Sequence, residues 1–145
     1  MSTPAIVIAI FIAVVLSIFF WSRQRAASRR RAIRQYADEH NFTFLGNILP
    51  DTLNLQASSL CRAENISSAF LGTGKKDFIF FDSFIPAGKT GYTQSVLAIY
   101  LFEGSYPACQ FDRQIREERA GDWRLIYHDR RTWPVSEIDA HVSSI

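Results

Sequence analysis

Residues 65–103 read NISSAFLGTGKKDFIFFDSFIPAGKTGYTQSVLAIYLFE, and the fold of the soluble part turns on this stretch. Asn65 to Leu71 and Asp77 to Ile85 are β-prone runs flanking Gly72-Thr73-Gly74-Lys75-Lys76, a linker of hairpin length. A second connection, Pro86 to Gly91, leads into Tyr92 to Glu103, the longest predicted strand. Phe78 to Phe81 are consecutively apolar, as is Val96 to Phe102. Such runs belong to central strands covered on both faces. Helices at the ends of the domain would cover one face, leaving a closed barrel, a partner or a second copy for the other.

Working outward, Phe42-Thr43-Phe44-Leu45 ending at Gly46 predicts a first short strand. Asn47 to Ala63 is irregular, with Pro50-Asp51 opening a short helix over Leu53, Leu55 and Leu60. Downstream, Ala108 to Phe111 is a short-strand candidate, and the polar Asp112 to Gly121 reads as a loop or one or two helical turns. Asp122 to His128 alternates, with Trp123, Leu125 and Tyr127 on one side. After Pro134, Val135, Ile138 and Val142 share one helical face, and Ser136 with Asp139 matches a capping box. The expected class is α+β: an antiparallel β-meander domain over residues 41–145, closed by a C-terminal helix.

Upstream lies a different kind of sequence. Ala5 to Trp21 is an apolar run of 17 residues, and the first 22 carry no ionisable side chain. Seventeen residues give roughly 25 Å of helix, just under the ~30 Å hydrocarbon core. Twelve of the seventeen are Ile, Val, Leu or Phe, favouring insertion by roughly 4–7 kcal/mol as an upper estimate. A cleaved signal peptide would need a basic n-region, and MSTP has no Lys or Arg. A buried core helix would need more chain to cover it than the remaining residues supply. Residues 1–22 are therefore read as a transmembrane anchor and 23–40 as a basic juxtamembrane helix stopping near Asn41.

Six arginines (Arg23, Arg25, Arg29, Arg30, Arg31 and Arg34) follow the span, against only the α-amino group before it. The positive-inside rule places the N-terminus outside and the domain in the cytoplasm. The formal charge of +2 divides into +6 over residues 23–34 and −4 over 35–145. The basic balance thus belongs to the anchor, which disfavours nucleic acid as a partner. Contact with a bilayer bearing anionic headgroups is the expected role of the arginines, at about 1 kcal/mol each.

No motif after residue 35 specifies a reaction. Gly88-Lys89-Thr90 lacks the first glycine of a P-loop, where Ser83 stands, and Gly72 to Lys75 lacks the helix that a phosphate cradle needs. Neither His40, His128 nor His141 lies four residues from another histidine. His128 with Asp129 would point to opposite faces of a strand. Cys61 and Cys109 lack metal-ligand spacing and in a reducing compartment are buried thiols; were the orientation reversed, their disulfide would be the first thing to check. Asn41-Phe42-Thr43 and Asn65-Ile66-Ser67 match the glycosylation pattern by chance on a cytoplasmic domain. Asp82, within FIFFDSF, must be solvated, paired or functional. It is expected to face solvent or pair at an edge, and Arg124 is a candidate partner in a pocket. No cofactor is indicated.

With Phe42 to Gly46, Phe81 to Phe84 and Tyr92 to Phe102 laid out, the chain resembles uncharacterised small bacterial single-span membrane proteins with a cytoplasmic β-rich domain. The resemblance covers about half of the soluble part. It implies a bacterial inner membrane and supplies no activity. A pleckstrin-like barrel is an analogy of fold alone. The leading expectation is a membrane-tethered, non-enzymatic binding module with a protein or lipid partner. Its rivals are a small anchored enzyme using Asp82 with Arg124 or a neighbouring arginine, and a subunit of a homo-oligomer or larger membrane complex.

Overall fold

The computed structural model describes residues 3–55, 58–73, 76–101 and 114–145. A long apolar helix, α1 (Thr3–Glu39), precedes a six-stranded antiparallel sheet and a short C-terminal helix, α2 (Val135–Ser143). The strands are β1 (Thr43–Gly46), β2 (Ile66–Gly72), β3 (Phe78–Ala87), β4 (Thr90–Tyr100), β5 (Ile115–Ala120) and β6 (Trp123–His128). Two compact units result, residues 1–32 and 33–145.

In the first unit every side chain from Pro4 to Ala27 that carries apolar surface is exposed, including Phe11, Phe20 and Trp21. The second unit begins inside the last turns of α1, because Ile33, Tyr36 and Ala37 are buried against the sheet. Asn41 stops the helix as expected. Its φ of 57° is left-handed, and the Phe42 and Asn41 amides return to the Ala37 and Asp38 carbonyls at 2.8 and 3.3 Å. That is a Schellman closure, in which an asparagine replaces the usual glycine.

The strand order is β1-β2-β3-β4-β6-β5. It departs from the expected meander in one respect: the chain reaches β5 at the edge first and returns as β6 against β4. The segment Asp112 to Gly121, expected as loop or helical turns, contains β5. IREERA suits an edge, where charged side chains deter further pairing, whereas WRLIYH is apolar enough for the interior. Two-residue loops that begin with a left-handed glycine, Gly88-Lys89 (φ 61°) and Gly121-Asp122 (φ 59°), join β3 to β4 and β5 to β6. Glycine in that first position is the II′ hairpin pattern. The candidate strand Ala108 to Phe111 lies outside the described residues, as does Cys109.

The doubly apolar strands do face two cores. Phe78 and Phe80 of β3 join Phe70, Leu97, Ile99, Ile126, Trp133 and Ile138 beneath α2 and the tail of α1. Ile79 and Phe81 point the other way, with Ile66, Val96, Ala98, Trp123 and Leu125. The chain itself covers this second face. Leu49, Leu53, Leu55, Leu60 and Cys61, from a segment that includes 3₁₀ turns at Asp51–Leu53 and Ser59–Cys61, lie over it, and the Ser83 hydroxyl donates to the Leu60 carbonyl at 2.6 Å. Among the described residues β1 and β5 form the two edges, so the sheet is open rather than a barrel. The helical face of α2 is as expected, with Ile138 buried and Val135 and Val142 packed beside it. Its capping box is not used: Pro134 occupies the N-cap position without a side-chain cap.

Candidate metal centre

Register places three rows of side chains across β3, β4 and β6 on the face beneath α2. Phe78, Ile99 and Arg124 form one row, and Phe80, Leu97 and Ile126 the next. The third row pairs Asp82 with Ser95, and β6 ends beside it at His128, one residue beyond the Val96–Tyr127 pair. Asp82 neither faces solvent nor lies at an edge. It is 2% exposed and accepts the Ser95 hydroxyl at 2.8 Å. Ser95 Oγ in turn accepts the Trp133 amide at 2.9 Å, and the Ser95 amide donates to the Arg131 carbonyl at 3.0 Å. The Arg130 amide donates to Gln94 Oε1 at 3.2 Å, with Arg130 left-handed at φ 59°. These bonds tie the 128–134 loop to the middle of the sheet.

That loop delivers His128 towards α2. Glu137 in the first turn of α2 and His141 one turn later share a helix face. The Nε2 atoms of His128 and His141 lie 3.8 and 3.9 Å from the same oxygen, Glu137 Oε1. One ligand-capable atom from each of the three residues falls within 4.8 Å of the other two. The second oxygen, Glu137 Oε2, accepts from the exposed Arg131 guanidinium at 2.8 Å. The buried Trp133 ring lies 4.3 Å from the His141 ring, tilted by 38°, and stands edge-on 6.1 Å from that of His128, packing against both imidazoles. Burial lowers the pKa of His141, and proximity to His128 adds to the effect while Glu137 opposes it. The neutral imidazole, the form that binds metal, is thereby favoured.

The site residues expected from sequence are dispersed. Arg124 sits two rows from Asp82, about 13 Å further along the strands, and forks onto Glu117, with Nε to Oε2 at 3.0 Å. Arg23 and Arg25 cover the rings of Phe19 and Trp21 at 4.9 and 5.5 Å. Arg30 and Arg31 are exposed and Arg29 half-buried. Arg34 belongs to the second unit, 4.0 Å from Asp38 and over the Phe44 ring at 5.9 Å. His40 approaches Asp139 at 3.5 Å, beside the Tyr36 hydroxyl, which donates to the same carboxylate at 3.1 Å. Burial and that carboxylate push the Tyr36 pKa well up.

A hollow of about 390 Å³ lies on the opposite side, lined by Leu49, Pro50, Leu55 and Cys61 with Asp51, Arg62 and Glu64. Burial pushes the Cys61 thiol up to about 12, so it is protonated near neutrality and poorly nucleophilic. The histidine cluster escaped the sequence reading, which sought pairs of histidines. The one local signal was Glu137 and His141 at helical spacing; His128 joins them only through the tertiary fold.

Comparison with protein-family models, curated proteins and solved structures returns no match. The resemblance to small bacterial single-span proteins therefore contributes no activity to this site.

Proposed function

We propose that the chain is a single-span membrane protein that tethers a small α+β binding module to the cytoplasmic face of a cell membrane, the bacterial inner membrane being the setting that the sequence resemblance favours. One observation carries the reading. The 36 residues from Pro4 to Glu39 contain an apolar window that is 0% buried by protein, and arginines follow it directly. An uncovered helix of this composition finds its favourable solvent in lipid. At 100° per residue the six arginines fall on both sides of the helix, forming a collar suited to headgroups rather than a stripe suited to one protein surface.

A binding module is favoured over an enzyme because the pair expected to do chemistry is engaged elsewhere, Asp82 with Ser95 and Arg124 with Glu117. The argument for an oligomer also weakens, since the second apolar face is covered from within the chain. Matched C-terminal fusions to a reporter active only in the cytoplasm and to one active only outside test the proposal. Activity of the cytoplasmic reporter in a carbonate-resistant membrane fraction is expected. Activity of the external reporter overturns the orientation, and extraction by carbonate overturns the span.

A further inference from the structure

We propose that His128, Glu137 and His141 bind one divalent transition-metal ion of the imidazole-preferring class, represented by Zn²⁺. Two imidazoles and a carboxylate form a ligand set chosen by Zn²⁺, Co²⁺ and Ni²⁺ and not by Ca²⁺ or Mg²⁺, which take oxygen ligands. The geometry is close to that of a bound site. Metal–ligand bonds of about 2.0–2.1 Å in a tetrahedron put ligand atoms about 3.4 Å apart. The two contacts to Glu137 Oε1, at 3.8 and 3.9 Å, need to contract by about 0.5 Å, and the widest separation among the three ligand atoms, within 4.8 Å, by up to about 1.4 Å, within reach of side-chain rotations.

Both separations from Glu137 Oε1 exceed hydrogen-bond length. An ion between the three would bind both imidazoles and the carboxylate at once. The two ligands of α2 are one turn apart on a helix held by Trp133 and Ile138, and the third is held by the Asp82–Ser95–loop network, so little needs to be ordered on binding. Entry is open. The Glu137 and His141 side chains are 24% and 16% exposed, whereas His128 is 8% exposed and forms the floor. Three protein ligands leave a fourth position for water or a partner's ligand. Arg131 on Glu137 Oε2 opposes a cation, and Oε1 remains available to one.

Calorimetric titration of the full chain in mild detergent with Zn²⁺ at pH 7.5 tests the proposal, with Cys61→Ser and Cys109→Ser changes removing thiol binding. One saturable ion per chain is expected, not displaced by excess Mg²⁺ or Ca²⁺. Glu137→Gln, close in shape to the parent, should weaken binding at least tenfold, as should His141→Ala. Imidazole ¹⁵N spectra of the unsubstituted protein provide a readout independent of whether a variant folds. Zn²⁺ should shift one ring nitrogen each of His128 and His141 and leave His40 unmoved. An unsaturable titration, undiminished binding by Glu137→Gln, or a shift confined to His40 overturns the site and leaves an ion-pair cluster.

Discussion

Ile33→Ala in the full chain should destabilise the folded domain by about 2.4–4 kcal/mol, although residue 33 lies in a stretch whose sequence reads as membrane-proximal helix. The side chain is 0% exposed in the core that also holds Phe70, Phe80 and Trp133. Removing three carbons forfeits about 2.4 kcal/mol of transfer free energy. A residual cavity of up to about 60 Å³ adds up to about 1.5 kcal/mol. A domain of this length has roughly 6–17 kcal/mol in total, so the loss is large without abolishing folding. Urea unfolding in mild detergent, followed by Trp123 and Trp133 fluorescence with Trp21→Phe as background, should show a midpoint about 2 M lower at unchanged slope. Ile10→Ala, in the exposed apolar part of α1, serves as the control and should leave the midpoint alone. A fragment starting at residue 30 should unfold cooperatively, and one starting at residue 41 should not. A loss under about 0.5 kcal/mol for Ile33→Ala would refute the assignment of the α1 tail to the core.

Four further outcomes follow from the same structure. Ser95→Ala should cost about 1–3 kcal/mol by removing the hydroxyl that donates to Asp82 and accepts the Trp133 amide, and hydrogen exchange at Trp133 should speed up accordingly. Gly72→Ala should cost about 1–3 kcal/mol, because a Cβ there would stand 2.1 Å from the ring of Phe78, which is held in the aromatic core, and a urea midpoint lowered at unchanged slope would show it. Cys61 binds its proton more tightly folded, at about 12, than at the ordinary 9.0, so its contribution is complete below pH 9 and drains away as pH rises towards 12; chemical unfolding at pH 8 and about 10.5 should find the gap between wild type and Cys61→Ala narrowing by about 2 kcal/mol. Arg131→Gln should tighten Zn²⁺ binding by about 1 kcal/mol, roughly fivefold, by removing a like charge beside the ion.

The sequence revealed structure wherever one local rule dominated. The exposed helix followed from composition, its stop from Asn41, and the central hairpins from β-prone apolar runs separated by glycine-bearing connections. β5 was hidden because its strand character is not hydrophobic: Arg116, Glu117, Glu118 and Arg119 occupy an edge, and Glu117 answers Arg124 across the ladder. The cover over the second core was hidden for another reason. Residues 47–65 have no period, and their leucines reach the sheet from irregular chain and short 3₁₀ turns, a geometry set by what lies beneath them rather than by propensity.

Asp82 shows how far register reasoning extends. A two-residue loop at Gly88-Lys89 fixes the pairing of the whole β3–β4 hairpin, so Asp82 opposite Ser95 follows from the turn alone. With Ser95 as its neighbour, a carboxylate in an apolar strand has a local hydrogen-bond partner. The next position in that row belongs to β6, which is separated in the chain by more than 20 residues and by an edge strand. No local rule could place His128 there. The architectural role of Asp82 and the convergence of His128 with Glu137 and His141 are thus two parts of one arrangement: the buried carboxylate holds the loop, and the loop aims the histidine. Ser95→Ala should therefore also weaken Zn²⁺ binding, though less than Glu137→Gln, because it loosens the approach of one ligand while leaving all three present. Equal binding in wild type and Ser95→Ala would mean that α2 and Trp133 alone position the site.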